Sequence, residues 1–213
     1  MIKGECDPRF KKIKDIFSYS LESGFETGAA LAIEYKGEVI VNLWGGHRDS
    51  NKSLEWEENT LINVFSVTKG ITAICVSKLI DEGKLDHNQK VSYYWPEYGC
   101  NGKEDTIVSD FLCHRAGMFG FQNGMPKGSW QNWQNFVSHL EAQTPYNAPG
   151  FSQGYHALTY GWLVGELFRR VDGRTVGEYF KEEIAIRHDI DFHIGLQKED
   201  FSRCADMLML DFI

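Results

Sequence analysis

The amino-acid sequence predicts a fold of the α/β class, of the α+β type, in which a short antiparallel sheet precedes a series of helices. The alternating pattern of a β-hairpin occurs once, near the N-terminus, and helical patterns fill most of the chain after it. The 213 residues are 42% hydrophobic and 24% charged, a composition typical of a globular chain with a sizeable core. We therefore expect residues 1–213 to form a single domain.

Helical periodicity recurs in segments whose ends carry capping or stop signals. The first helix follows Asp7, a candidate N-cap, with Pro8 at the first helical position, and it extends up to Gly24. The sequence Thr175-Val176-Gly177-Glu178 has the pattern of a capping box and opens a later helix. Further helices are predicted at 66–83, 107–113, 130–140 and 155–170, and a glycine-rich loop at 117–128.

The hairpin is predicted over residues 29–46, with arms at 30–33 and 39–44 and a turn at Lys36-Gly37. A two-stranded hairpin is marginally stable by itself. No convincing strand pair follows Trp44, and the chain ends on an apolar stretch with no stop signal. We therefore expect the chain to contribute only the first two strands of an incomplete sheet.

Composition excludes several classes of function. The 22 Lys and Arg against 30 Asp and Glu give a net charge of −8, which disfavours nucleic acid and anionic lipid as partners. No apolar stretch is long enough to cross a bilayer, and the N-terminus lacks the apolar segment of a signal peptide. The five cysteines have neither disulfide-framework nor zinc-site spacing. We interpret them as reduced thiols of a cytoplasmic protein.

One sequence combines a hydroxyl with an amine. In Ser66-Val67-Thr68-Lys69 the two side chains lie three residues apart at the predicted start of a helix, so both fall on one face. A serine becomes a nucleophile when an adjacent base takes its proton, and a partly buried lysine can be that base. The helix N-terminus adds backbone N–H donors for an oxyanion. Alone, the spacing is weak, because about one such pair is expected by chance.

The motifs around this pair resemble the serine β-lactamase and penicillin-binding superfamily, and most closely its class C-like branch, the family VIII carboxylesterases. The resemblance covers nearly the whole chain, and its motifs follow the order found in that family. They are Leu43-Trp44-Gly45-Gly46, Asn63-Val64-Phe65-Ser66-Val67-Thr68-Lys69-Gly70, Gly83-Lys84-Leu85-Asp86, Tyr94-Trp95-Pro96-Glu97-Tyr98, Phe111-Leu112-Cys113-His114-Arg115-Ala116-Gly117-Met118, Pro149-Gly150, Tyr155-His156-Ala157 and Gly161-Trp162-Leu163-Val164-Gly165.

The resemblance implies a β-lactamase-like fold, with a helical subdomain beside an antiparallel sheet, and an esterase that works through an acyl-enzyme. Ser66 would be the nucleophile, Lys69 the base that activates it and Tyr155 the proton relay. The backbone N–H of Ser66 would be one oxyanion donor. A small acyl ester is the expected substrate, and no metal or organic cofactor is implied.

Two departures from the family pattern leave alternatives open. The residue two positions after Tyr155 is Ala157, where lactamases have an asparagine that helps hold a β-lactam side chain, so an esterase is favoured over a β-lactam or peptide amidohydrolase. The family's third motif, Lys-Thr-Gly or His-x-Gly on a later strand, finds no counterpart between Gly165 and Ile213. A catalytically dead fragment that acts as a binding module is therefore the second alternative, and its exposed sheet edge favours self-association.

Four other features suggest alternatives of their own. The two histidines and two aspartates in 188–193 are a weak candidate for a metal site, with a structural turn as the preferred interpretation. His114 is interpreted as a buried, hydrogen-bonded imidazole at a helix end. The side chains of Trp130 and Trp133 either line an acyl pocket or pack in the core, and the pair 169–170 is interpreted as the solvated end of a helix.

Overall fold

A computed structural model describes residues 2–125 and 128–208 of the chain. The described residues form two compact units: one combines residues 2–64 with 196–208, and the other is the described part of Phe65–Gly195. None of the helices in the described ranges is long and apolar enough to span a membrane. The expectation of a single domain and that of a cytoplasmic location stay predictions.

The first unit is built on an antiparallel sheet that packs against one helix. Strand β1 (Ile2–Cys6) precedes helix α1 (Lys11–Glu22), and the hairpin strands β2 (Gly28–Tyr35) and β3 (Glu38–Gly46) follow. The strand order is β1-β3-β2, so β3 lies in the centre. The predicted helix and hairpin are confirmed. The core contains Phe17, Ile40, Val41 and Leu43.

The expectation of two strands is wrong, since the sheet formed by the described residues has three. Strand β1 is missed because its alternation is short and weak: Ile2 and Cys6 face the core of this unit, but the position between them on that face is Gly4. What makes it a strand is its pairing with β3, in the register Gly4↔Leu43. A Cβ atom at Gly4 would lie 2.0 Å from the carbonyl oxygen of Asn42, so this close approach requires glycine.

The second unit is helical and has its own core. Its longest helices are α2 (Val67–Asp81), α5 (Trp133–Ala142) and α6 (Thr159–Asp172). Buried side chains of these helices, among them Leu79 and Leu163, form a single cluster with those of the shorter elements. The shorter elements are α3 (Val91–Tyr94), α4 (Val108–Leu112), α7 (Val176–Phe180), a π-helical turn (Lys181–Ala185) and α8 (Ile186–His188).

The predicted helices of this unit are present, with one boundary that matters for the site. The Thr175 capping box is confirmed, because Thr175 and Glu178 exchange side chain-to-backbone hydrogen bonds. Helix α6 begins at Thr159, four residues later than predicted. Tyr155 consequently lies on the loop that precedes α6. The backbone N–H groups of Gly154 and His156, on either side of it, donate to His114.

Candidate active site

Ser66 lies at the N-terminus of helix α2 with its side chain exposed. It is the N-cap residue, yet its hydroxyl makes no capping hydrogen bond, so the oxygen remains available for other partners. The preceding residue, Phe65, has a φ of 46°, which is in the left-handed region that non-glycine residues seldom adopt. A helix cannot continue backward through this conformation, so α2 begins at this point and presents Ser66 at its end.

Lys69 lies one turn into α2, on the same face as Ser66. Its Nζ donates to the Ser66 Oγ at 3.1 Å and to the carbonyl oxygen of Ala157 at 2.8 Å. The ammonium also lies 5.0 Å from the ring centre of Tyr155 and 5.6 Å from that of Tyr160. One amine therefore links the start of α2 to the loop before α6, two segments nearly 90 residues apart in the sequence.

Tyr155 completes the cluster from the opposite side. Its side chain is 54% exposed, which leaves the phenol accessible to a ligand in solution. Hydrogen bonding to Ser66 and to Lys69 lowers the pKa of this phenol, and the charge of Lys69 acts in the same direction. The structure thus brings together the three side chains that the sequence analysis selected, although their catalytic roles stay predictions.

Two histidines support the loop that carries Tyr155. The backbone N–H of His156 donates to His114 Nδ1 at 3.1 Å, and the N–H of Gly154 donates to the His114 carbonyl oxygen at 3.0 Å. The buried imidazole of His156 bonds to the Gly154 carbonyl oxygen through Nδ1 at 2.7 Å and accepts from the Met118 N–H through Nε2 at 3.2 Å. The backbone on both sides of Tyr155 is therefore held by imidazole groups.

Burial keeps both imidazoles neutral near pH 7. It lowers the pKa of His156 to about 4, and the charge of nearby His114 adds to the effect. Burial also lowers the pKa of His114, and the positive charge of Lys69 lowers it further. His114 was expected to be a buried, bonded imidazole; it is half-buried, and its ring contacts Tyr155 at a centroid distance of 4.8 Å.

The two tryptophans, for which an acyl pocket and core packing were the alternatives, are both exposed, Trp130 by 56% and Trp133 by 40%. Trp133 donates its indole N–H to the buried carboxylate of Glu166 at 2.9 Å, and Trp130 packs 5.2 Å from Phe136 between ring centres. Neither tryptophan is part of the buried core cluster, and the acyl-pocket role stays a prediction. The interpretation of 169–170 as a solvated helix end is wrong for Arg170, which is 23% exposed and donates to Glu166 at 2.8 Å.

The histidine- and aspartate-rich segment 188–193 contains one close contact between a histidine and an aspartate. His193 Nε2 lies 2.8 Å from Asp191 Oδ1, and no group of three or more His, Cys, Asp or Glu side chains suited to a metal ion occurs in residues 2–125 and 128–208. His193-Ile194-Gly195 has the letters of the His-x-Gly motif that the sequence analysis did not find. The segment is not a strand, and its Ile194 carbonyl packs against Gly177 of α7, so it does not serve as that motif's strand.

Comparison with solved structures defines the class of fold. The chain superposes on a family VIII carboxylesterase with a TM-score of 0.90 and 38% identity, covering 98% of this chain and 57% of the other. A penicillin-binding protein homologue from Caulobacter crescentus gives a TM-score of 0.94 and 37% identity, with 99% and 57% covered. The fold is therefore β-lactamase-like, as the sequence motifs implied.

Sequence comparison shows the family. Residues 13–211 match the profile of the Beta-lactamase family, so the chain belongs to that family. A curated relative, the Esterase/beta-lactamase LipL of Mycobacterium tuberculosis, is 35% identical over 213 residues, which are 97% of this chain and 48% of the relative. The chain thus spans about half the length of the curated relative that it matches.

Proposed function

We propose that the protein hydrolyses small acyl esters through an acyl-enzyme formed on Ser66. The observation that carries the proposal is the 3.1 Å contact between Lys69 Nζ and an exposed serine oxygen that makes no capping bond. Tyr155 lies against the same pair, with a pKa lowered by hydrogen bonds to both. A hydroxyl, an amine and an acidified phenol in mutual contact are the groups that acyl transfer needs.

Acylation begins from the form of the site in which Lys69 is a neutral amine: Ser66 Oγ attacks the ester carbonyl carbon, and the hydroxyl proton passes to Lys69 Nζ. The oxyanion forms near the N-terminus of α2, where the Ser66 backbone N–H is the proposed donor. As the carbon–oxygen bond to the leaving group breaks, the Tyr155 phenol gives its proton to the departing alkoxide and recovers one from Lys69. The alcohol leaves, and the acyl group remains on Ser66.

Deacylation repeats these steps with water in place of the serine hydroxyl. Tyr155 and Lys69 take a proton from the water, which attacks the acyl carbon, and the proton returns to Ser66 Oγ as the acid departs. Ala157 contributes its carbonyl oxygen to Lys69 and has only a methyl side chain. The absence of a side-chain amide at this position favours an ester substrate over a β-lactam, as does the carboxylesterase named among the solved structures.

Burst kinetics with p-nitrophenyl butyrate test the proposal. We expect wild-type protein to release p-nitrophenol in a burst equal to the enzyme concentration, or to turn over, and Ser66→Ala to do neither. Ser77→Ala is the matched control, because Ser77 is an exposed serine of the same helix whose hydroxyl bonds only to the Ala73 carbonyl in the described contacts. Tyr155→Phe is expected to lower kcat by roughly 10²–10⁴ while the burst stays dependent on Ser66.

The outcomes separate the alternatives. Folded protein that shows no burst and no turnover would contradict the proposal for this chain and favour a binding module. A burst that survives in Ser66→Ala would place the nucleophile elsewhere. Hydrolysis of a chromogenic β-lactam faster than the ester would reverse the order of the two substrate classes.

A further inference from the structure

His114 holds both neighbours of the candidate relay Tyr155. Its carbonyl oxygen accepts from Gly154 N–H at 3.0 Å, and its Nδ1 accepts from His156 N–H at 3.1 Å. The imidazole edge also contacts the Tyr155 ring, with 4.8 Å between centroids and 63° between planes. One residue therefore fixes the backbone before and after Tyr155 as well as the face of its ring.

These bonds require a particular protonation state of His114. Because Nδ1 accepts a hydrogen bond, the ring must be neutral with its proton on Nε2. A second proton on Nδ1 would direct an N–H at the His156 N–H, so the bond would break. The two donors would then repel each other, and the loop that carries Tyr155 would lose one of its supports.

The backbone of His114 shows that the surroundings dictate its conformation. Its φ is 60°, in the left-handed region, although it is not glycine. Such conformations cost free energy and persist where neighbouring contacts over-determine them, frequently at functional sites. Asparagine tolerates this region better than most residues, and its side-chain oxygen can replace Nδ1 as an acceptor.

We propose that His114 is a positioning residue for Tyr155 and that protonation of its imidazole releases Tyr155 and lowers activity at acid pH. The proposal rests on the proposed function, because Tyr155 must be the relay for its displacement to matter. On this proposal His114 affects kcat, and substrate binding, measured by KM, depends on other residues.

The charges around His114 support this proposal. The titratable or charged groups that face it are Lys69 from α2, Tyr155 and His156 from the loop, and Tyr160 from α6. Burial, and after it the charge of Lys69, lowers the pKa of His114 from its ordinary value of 6.5. The neutral, accepting form therefore predominates at pH 7, and the protonated form appears only as the pH falls through the lowered value. Its sequence neighbours with titratable side chains are Cys113 and Arg115.

The test compares kcat and KM for p-nitrophenyl butyrate between pH 4.5 and 8 in four proteins: wild type, His114→Asn, His114→Ala and His87→Asn. His87 is exposed and lies outside the cluster, so His87→Asn controls for loss of a histidine. We expect His114→Ala to lose about 10- to 100-fold in kcat at pH 7.5 with KM changed less than about 3-fold, as displacement of a catalytic group predicts.

The His114→Asn variant tests the titration of His114 directly, because asparagine can accept the hydrogen bond but does not ionise. His114→Asn is expected to keep kcat at pH 7.5 within a few-fold of wild type and to lose an ionisation below pH 6.5 that wild type and His87→Asn retain. An acid limb that is the same in His114→Asn and wild type overturns the proposal, as does a loss in KM alone. If His114→Ala does not fold by circular dichroism, the His114→Asn profile decides the matter.

Labelling with a fluorophosphonate distinguishes failure of the role proposed for His114 from failure of the proposed esterase function. Wild type that is not labelled at Ser66 refutes the acyl-enzyme, and the role of His114 falls with it. Labelled wild type whose acid limb is unaffected by His114→Asn refutes the role of His114 alone.

Discussion

Glu166 offers a sharp test of how the helical unit is held together. Its side chain is fully buried in helix α6, yet four hydrogen bonds satisfy its two oxygens. Arg169 donates twice, at 2.7 and 3.0 Å, Arg170 once at 2.8 Å, and the Trp133 indole once at 2.9 Å. Burial raises the pKa of Glu166, but these donors more than offset it, and the pKa falls below 4.5.

We expect Glu166→Gln to lower the free energy of unfolding by about 3 kcal/mol. Removing one partner of a buried ion pair costs about 3–5 kcal/mol, and the lower end applies because Arg169 is 45% exposed and can turn to water. With a urea slope of about 2 kcal/mol/M, the unfolding midpoint would fall by roughly 1.5 M. Tryptophan fluorescence during urea titration measures this shift.

The matched control is Glu97→Gln. Glu97 also pairs with Arg170, at 2.6 Å, but its side chain is 58% exposed, so the loss should stay under about 1 kcal/mol. The difference between Glu166→Gln and wild type should also shrink as the pH falls below 4.5, because the stability from a lowered carboxyl pKa is lost when that group is protonated. Equal losses in both variants, or no pH dependence, would refute this reasoning.

Two further predictions concern a buried amine and a sheet edge. Lys103 is 1% exposed, and burial lowers its pKa, so at pH values between that lowered pKa and 10.5 the unfolded chain binds more protons than the folded chain. The free energy of unfolding of wild type, relative to that of Lys103→Met, should therefore rise with pH in this range. Thermal melts at several pH values measure this difference, and a difference that does not change with pH would contradict the prediction. We also propose that the chain self-associates through β2, an edge strand of the described sheet. Ala32 is at an exposed position of that strand, so Ala32→Lys should abolish the association that sedimentation velocity detects in wild type. Wild type that is monomeric at about 50 µM would contradict the proposal.

Elements whose information is local were predictable from the sequence. The hairpin arms and turn, the start of α2 and the capping box at Thr175 all follow from residues within a few positions of one another. Strand β1 was missed, because its five-residue alternation is weak and the strand is defined by its pairing with β3. The start of α6 was misjudged for a related reason, since bonds from His114 and His156 hold the loop before it out of the helix.

The residues of the candidate site likewise divide into those that sequence spacing predicts and those that depend on tertiary contacts. Ser66 and Lys69 share one helical turn, so their proximity follows from spacing alone. Tyr155 was identified by resemblance, and its contact with Lys69 depends on tertiary packing that no spacing specifies. The support from His114 and from the buried His156 was missed, because the signal lies in three-dimensional contacts and a φ of 60° that the sequence does not state.

The division of the chain between the two units bears on synthesis at the ribosome. The unit that contains the sheet includes contacts between residues that are far apart in the sequence. Leu61 forms backbone hydrogen bonds with Arg203 and Ala205, and Arg203 also donates to the Asn59 carbonyl oxygen, 144 residues away in the sequence. The helical unit lies wholly between these partners. During translation it can therefore condense while the sheet-bearing unit still waits for its last contacts, which must overcome the entropy of closing a very long loop. The connectivity therefore allows the unit that carries Ser66 to fold before the sheet-bearing unit has all of its contacts.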